Sequence, residues 1–339
     1  MEENEKVLKN KNRKKQRKYH LLILLLLLFG TGIMLATSTY AWFTSNKNVS
    51  VETLSVNIAA QNGIQISVDG TNWKAIVQKT DLQNAKNTYT AAKNQLPSVL
   101  EPVSTGGVAS AGVLPMYYGT IDSNASGNYI LTTKLETDAD GATGKYIAYD
   151  LFFKVNSDTK IAITSASGVK SSDDNDTGIK NASRIAFVKL GNVPDGTALS
   201  TIQGLNSGTE VFIWEPNYDS HTSTGIANAR DVYGLPAVAD GDSTVVPYSG
   251  VIAAISAGDN VLLGNATEAK DATKFKTVTP TYTTKFGYST NFEIFPLTAG
   301  ITKVRIYMWV EGQDVDCENN ASSGNINYDL YITTVEAGS

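Results

Sequence analysis

The sequence predicts an all-β fold, a β-sandwich or jelly roll with loop insertions and one short helix. Three observations carry this. Apolar residues alternate with polar ones over several separate stretches, the signature of half-buried strands. Clusters of Gly, Ser, Thr, Asn and Asp separate those stretches, as turns do. Long amphipathic helical patterns are missing from the 339 residues.

The elements follow in order. Val49, Val51, Val56 and Ile58 mark a first strand whose alternation slips near Leu54, which hints at a bulge. Ile64, Ile66 and Val68 alternate up to a turn at Asp69-Gly70. Residues 80–95 form the one expected helix, with Ala85, Ala91 and Ala92 as helix formers and Pro97 as its stop. Stretches 113–121 and 129–135 read as a strand pair. In 146–155, Ile147, Tyr149, Leu151, Phe153 and Val155 share one face. Strands are also expected near Ile161, at 185–190, 211–214, 251–255, 261–263 and 275–282. Residues 216–250 are rich in Gly and Pro and read as loop. Two alternating runs, 302–310 and 326–333, read as a closing hairpin around an acidic loop. One large domain, residues 42–339, accounts for the pattern.

The N-terminus reads as an export signal, residues 1–41. Lys9, Lys11, Arg13, Lys14, Lys15, Arg17 and Lys18 precede an apolar run at 21–36, and small residues follow up to Ala41. The expected signal peptide helix ends with cleavage between Ala41 and Trp42; a second candidate site follows Ser38. The alternative is an uncleaved membrane anchor, for which the 16-residue run is short against the ~20 residues a spanning helix needs. Positive charge stays in the cytoplasm, so the rest of the chain faces outward. Contact with a membrane is expected only through this segment before cleavage, and signal peptidase is the expected processing partner.

Residues 1–41 hold eight Lys/Arg and three Asp/Glu of the chain's 28 and 33, so the remainder carries a formal charge of −10. Nucleic-acid binding needs the opposite sign. Cys317 is the one cysteine, so no internal disulfide can form and the core must hold the fold. That thiol reads as a small buried hydrophobe, as a surface thiol pairing between chains, or as one half of a thioester with Gln313.

Chemistry-bearing residues are sparse. His20 lies in the signal and His221 in a polar loop; there is no His-Glu-x-x-His and no Gly-x-Ser-x-Gly. No catalytic residue and no cofactor site is expected. Oxygen-rich loops suit Ca²⁺, and Glu311, Asp314, Asp316 and Glu318 form the best candidate calcium cluster. Residues 122–127 and 173–178 are weaker ones. Against this, Asp, Asn and Gly also build soluble turns without any metal.

At the signal junction, Thr39, Tyr40, Ala41 and Phe43, followed by VSVETLSVNI from Val49, resemble the TasA/camelysin family. The resemblance covers about residues 21–68. It implies an exported β-sandwich protein of Gram-positive bacteria that builds biofilm matrix fibres. It further implies self-association by N-terminal strand donation, with Val49, Val51, Val56 and Ile58 as anchors on the neighbouring subunit; the rival reading is that this strand pairs within its own subunit as an ordinary first strand. With no Leu-Pro-x-Thr-Gly sorting motif in the sequence, retention outside the cell is expected to rest on such assembly. The alternatives are a monomeric surface adhesin that binds through loops 216–250 or 311–325, and a secreted hydrolase.

N-terminal sequencing of the secreted protein checks the export reading. The expected first residue is Trp42; a chain that still begins before Leu21 sinks it.

Overall fold

The computed structural model describes residues 49–58, 64–137, 139–171, 177–231, 245–262, 271–318 and 324–335. The signal region, with Ala41 and Trp42, lies outside them. All described residues belong to one unit, which begins at Tyr40.

Two sheets face each other. The first contains β1 (Val49–Ile58), β4 (Val99–Leu100), β9 (Thr159–Ile163), β10 (Gly168–Ser171), β16 (Phe292–Leu297) and β18 (Asn325–Val335). Its order is β16-β9-β18-β1-β4, with β10 also on β18. The second contains β2 (Gln65–Ser67), β3 (Asn94–Gln95), β8 (Ile147–Val155), β11 (Ser183–Val193), β12 (Glu210–Pro216), β15 (Tyr282–Thr284) and β17 (Gly300–Val310). Here the order is β15-β12-β11-β17-β8-β2, with β3 also on β8. A three-stranded sheet, β5 (Val103–Ser104), β6 (Tyr117–Ser123) and β7 (Tyr129–Leu135), and a pair, β13 (Tyr248–Val251) and β14 (Phe275–Val278), complete the strands.

The all-β sandwich is therefore as the alternation predicts. Ile147, Tyr149, Leu151, Phe153 and Val155 of β8 meet Val304, Ile306, Met308 and Val310 of β17 in one core, against Ile326, Tyr328, Leu330 and Ile332 of β18. A period-2 pattern with one apolar face can be satisfied only this way.

The predicted closing hairpin is not formed. β17 pairs antiparallel with β11 on one edge and β8 on the other, so neither edge is left for β18. The acidic loop instead crosses between the sheets, and β18 runs parallel to β1.

The second sheet is covered on both faces. Its outer side packs Ala148, Ala186, Val188, Tyr307 and Trp309 against Leu114 and Met116. Phe152 and Ile301 meet Tyr89, Ala92 and Ile202. Two buried cations on this face need a counter-ion. Asp150 of β8 provides it, with Arg305 Nε at 2.6 Å and Nη2 at 3.0 Å, and Lys303 Nζ at 3.3 Å. Lys303 also donates to Tyr89 Oη at 2.9 Å.

The expected helix over 80–95 is shorter. It forms α1 (Lys79–Asn84) and a single 3₁₀ turn, Ala85–Asn87. Beyond it, Asn94 and Gln95 are drawn into pairing with β8. Two further helices, α2 (Leu199–Gly204) and α3 (Ser223–Asp231), occupy stretches without an apolar period.

Ile306 sits in the middle of the doubly paired strand with no exposed surface. Replacing it by Ala is expected to cost about 2–5 kcal/mol, read as a lower urea midpoint with unchanged slope. A loss under 1 kcal/mol contradicts the central place of β17.

Candidate functional site

The strongest concentration of chemistry is the loop between β17 and β18. Every residue from 311 to 318 is buried, which corrects the solvated-turn reading; of the expected binding loop 311–325, residues 319–323 lie outside the described ones. Turn bonds shape it: Asp314 N to Glu311 O at 3.1 Å and Cys317 N to Asp314 O at 3.1 Å. Glu311 N bonds Ala182 O at 2.8 Å and Gly312 N bonds Val103 O at 2.9 Å, which ties the loop to the sheet.

Each of the four predicted calcium ligands accepts from protein donors, and Asp316 and Glu318 share one of them. Glu311 accepts from Trp309 Nε1 and Gln313 N, both at 3.0 Å. Asp314 accepts from Arg184 Nη2, and from Asp316 N at 2.8 Å. Asp316 pairs with His221 Nδ1 at 2.8 Å and accepts from Thr222 N at 2.8 Å. Glu318 meets Thr222 Oγ1 at 2.7 Å. That hydroxyl also lies 2.9 Å from Asp316 Oδ1, so one proton serves two carboxylates. The sequence brings these acids together, but they do not converge on a common centre. Among the described residues no group of three or more His, Cys, Asp or Glu side chains is arranged to hold a metal ion.

Two of the partners, Arg184 and Glu215, stand one residue outside the strands expected at 185–190 and 211–214. Arg184, on β11, has no exposed surface. Its Nη1 donates to Asn181 O at 2.7 Å and Ser183 O at 3.0 Å, and its Nη2 lies 2.6 Å from Glu215 Oε1 of β12. Its guanidinium stands 5.5 Å from the centre of the Tyr248 ring of β13. A lone charge at the end of an apolar run, as in Arg184-Ile-Ala-Phe or Phe-Ile-Trp-Glu215, is the signal that could have found both. His221 is not isolated in a polar loop; its side chain is 5 % exposed. Its Nε2 is buried and meets no hydrogen-bond partner among the described residues. Gly225, at the start of α3, is required by close approach: a Cβ there would stand 2.4 Å from Asp316 Oδ1.

Charge does not balance in this buried site. Glu215, Glu311, Asp314 and Asp316 face Arg184 and His221. Burial raises the Glu215 carboxyl to about 7, with Arg184 opposing only in part. Burial likewise raises Glu311 to about 7, against bonds from Ser104, Trp309 and Gln313. Asp314 is raised by burial as well. For His221 burial acts downward, but the hydrogen bond and charge of Asp316 outweigh it and hold the imidazole at about 9. Arg184 stays charged.

The other predicted sites are settled by position. In residues 122–127, Asn124 Oδ1 accepts Ser126 N at 3.0 Å and Asn128 N at 2.9 Å, so it builds the β6–β7 turn. Residues 173–176 lie outside the described ones. Cys317 is in the inner core, as its reading as a small hydrophobe has it. Val49 and Val51 are buried in the chain's own core. Val56 and Ile58 pair with Leu330 and Ile332 of β18, after a register shift between Val51 and Thr53, close to the expected bulge.

No family model, characterised protein or solved structure matches the chain.

Groups whose folded pKa is raised stabilise the fold below their unfolded value and lose that contribution as pH rises through the folded one. Glu215 and Glu311 lose theirs between about 4.5 and 7, and His221 between about 6.5 and 9. Melting temperature is therefore expected to fall from pH 5 to pH 9, and the Glu215→Gln, Glu311→Gln double variant to flatten the lower part of the fall. A Tm that rises over this range contradicts the assignment.

Proposed function

We propose that the chain is a secreted structural subunit of a bacterial surface layer or extracellular matrix, assembling by donation of its first strand. One observation supports this most. β1 lies near the start of the expected mature chain, yet its main partner is β18 near the other end, in parallel register from Ser50↔Asn325 to Ile58↔Ile332. On the opposite side it pairs only at Val49 and Ser50, with β4. Among the described residues the remainder of β1 has no second strand.

A strand held this way is exchangeable. It enters from the N-terminal side, its backbone bonds run almost wholly to one neighbour, and no other described strand must be unthreaded to remove it. The place beside β18 accepts an identical β1 from another copy with the same pockets and the same ladder. Because donor and acceptor sit on different parts of each subunit, such contacts are head-to-tail and propagate. The resemblance at Thr39–Phe43 and Val49–Ile58 points the same way, and the acidic surface keeps ungrown subunits soluble.

Electron microscopy of the mature protein is the test, with two controls. Filaments are expected for the intact chain. Deleting residues 42–52 is expected to abolish them. A peptide spanning 42–58, added in excess, is expected to shorten them by occupying the β18 slot. A deletion variant that still forms filaments overturns strand donation.

A further inference from the structure

Beside the turn at Asp69-Gly70 lies a cleft of about 360 Å³, within the size range of small-ligand pockets. We propose that this cleft binds a neutral saccharide.

Two short segments wall it. Val68, Asp69, Asn72 and Lys74 belong to β2's following turn, and Val77, Asp81, Asn84, Asn87 and Thr88 to α1 and its flanks. The walls are bonded to each other. Asp69 is buried and accepts, on its own side, from Ser67 Oγ at 2.7 Å, Thr71 N at 2.9 Å and Asn72 N at 2.8 Å. Its second oxygen accepts Asn72 Nδ2 and, from the other wall, Thr88 Oγ1, both at 2.6 Å. Lys74 Nζ reaches Asp81 Oδ1 at 2.6 Å, again from wall to wall. Asp81 Oδ2 accepts Gln78 N at 3.0 Å, at the start of α1. The cleft is therefore held in one shape before a ligand arrives, which lowers the ordering cost of binding.

The lining selects the class of ligand. Five donors already occupy Asp69 and two occupy Asp81, so neither carboxylate is left to ligate a metal ion. Burial acts upward on both carboxyls. Hydrogen bonds, from Asn72 and Thr88 on Asp69 and from Gln78 and Lys74 on Asp81, outweigh it and hold both below the ordinary value. Two negative charges thus face the ammonium of Lys74, which disfavours an anionic ligand.

Three exposed carboxamides remain, on Asn72, Asn84 and Asn87. Asn72 spends an amide proton on Asp69. The side-chain amides of Asn84 and Asn87 meet no hydrogen-bond partner among the described residues. Each amide holds donors and an acceptor in one plane, and a pair of neighbouring sugar hydroxyls presents the complementary acceptor and donor. Half-buried Val68 and buried Val77 give the C–H face of a sugar ring an apolar wall. A wholly apolar ligand would desolvate the amides without pairing them.

Calorimetry of the purified protein tests this. The neutral probes are cellotetraose, maltotetraose, mannotetraose and chitotetraose, each with its monosaccharide; tetragalacturonate is the acidic counterpart. At least one neutral tetrasaccharide is expected to bind with Kd below about 1 mM. The Asn84→Ala, Asn87→Ala double variant is expected to weaken that binding about tenfold or more, with an unchanged melting temperature because both side chains are exposed. A monosaccharide that binds as tightly as its tetramer marks a free sugar as the ligand; a weaker one marks a polymer strand. The proposal is overturned if no neutral probe gives heat, if the double variant binds unchanged, or if tetragalacturonate binds more tightly than every neutral probe.

Discussion

Strand β17 presents eleven consecutive residues to protein and none to water. Two of them, Lys303 and Arg305, are cations, so the strand cannot be buried unless a carboxylate is delivered beside it. Asp150 delivers it from the register-paired position opposite Arg305. That requirement fixes β8 against β17, and β11 takes the other edge. The outer face then needs a cover of its own, which Tyr89, Ala92, Ile202, Leu114 and Met116 supply. Displacing β18 to the opposite sheet is the remaining consequence. An ion pair of this kind adds little net stability over an apolar core, but its loss leaves two charges stranded, so it specifies the pairing more than it strengthens it.

The same logic recurs at the loop that leaves β17, with the opposite sign. There carboxylates are in excess, and Arg184 and His221 are the available cations. The two sites treat their surplus charge differently. Around Asp150, the surplus cation is satisfied by aromatic rings and a tyrosine hydroxyl. Around Arg184, the surplus is carried by carboxyls whose ionisation lies within the ordinary pH range. One site is therefore fixed and the other responsive, although both are buried in the same fold.

Much of this architecture is legible in the sequence because a period of two has few solutions. The inward faces of β8, β17 and β18 can be read residue by residue. What cannot be read is which strands become neighbours. The runs at 302–310 and 326–333 look like a hairpin because they are adjacent in sequence; edge occupancy, which sequence does not display, separates them. The helix is shorter than its residues suggest for a related reason: pairing with β8 claims Asn94 and Gln95. The acidic loop shows the limit most sharply. Oxygen count alone does not distinguish a cage for a cation from carboxylates that accept from protein donors. Arg184, the donor to Asp314, stands more than 90 residues upstream.

The parallel pairing of β1 with β18 also dictates the order in which the chain can become a protein. Ser50 and Asn325 are partners, so a chain synthesised from its N-terminus presents β1 long before its partner exists. Closing a loop of that length is slow, and an apolar strand waits unpaired while it closes. Appearance of β1 and completion of its sheet are thus separated by nearly the whole intervening chain.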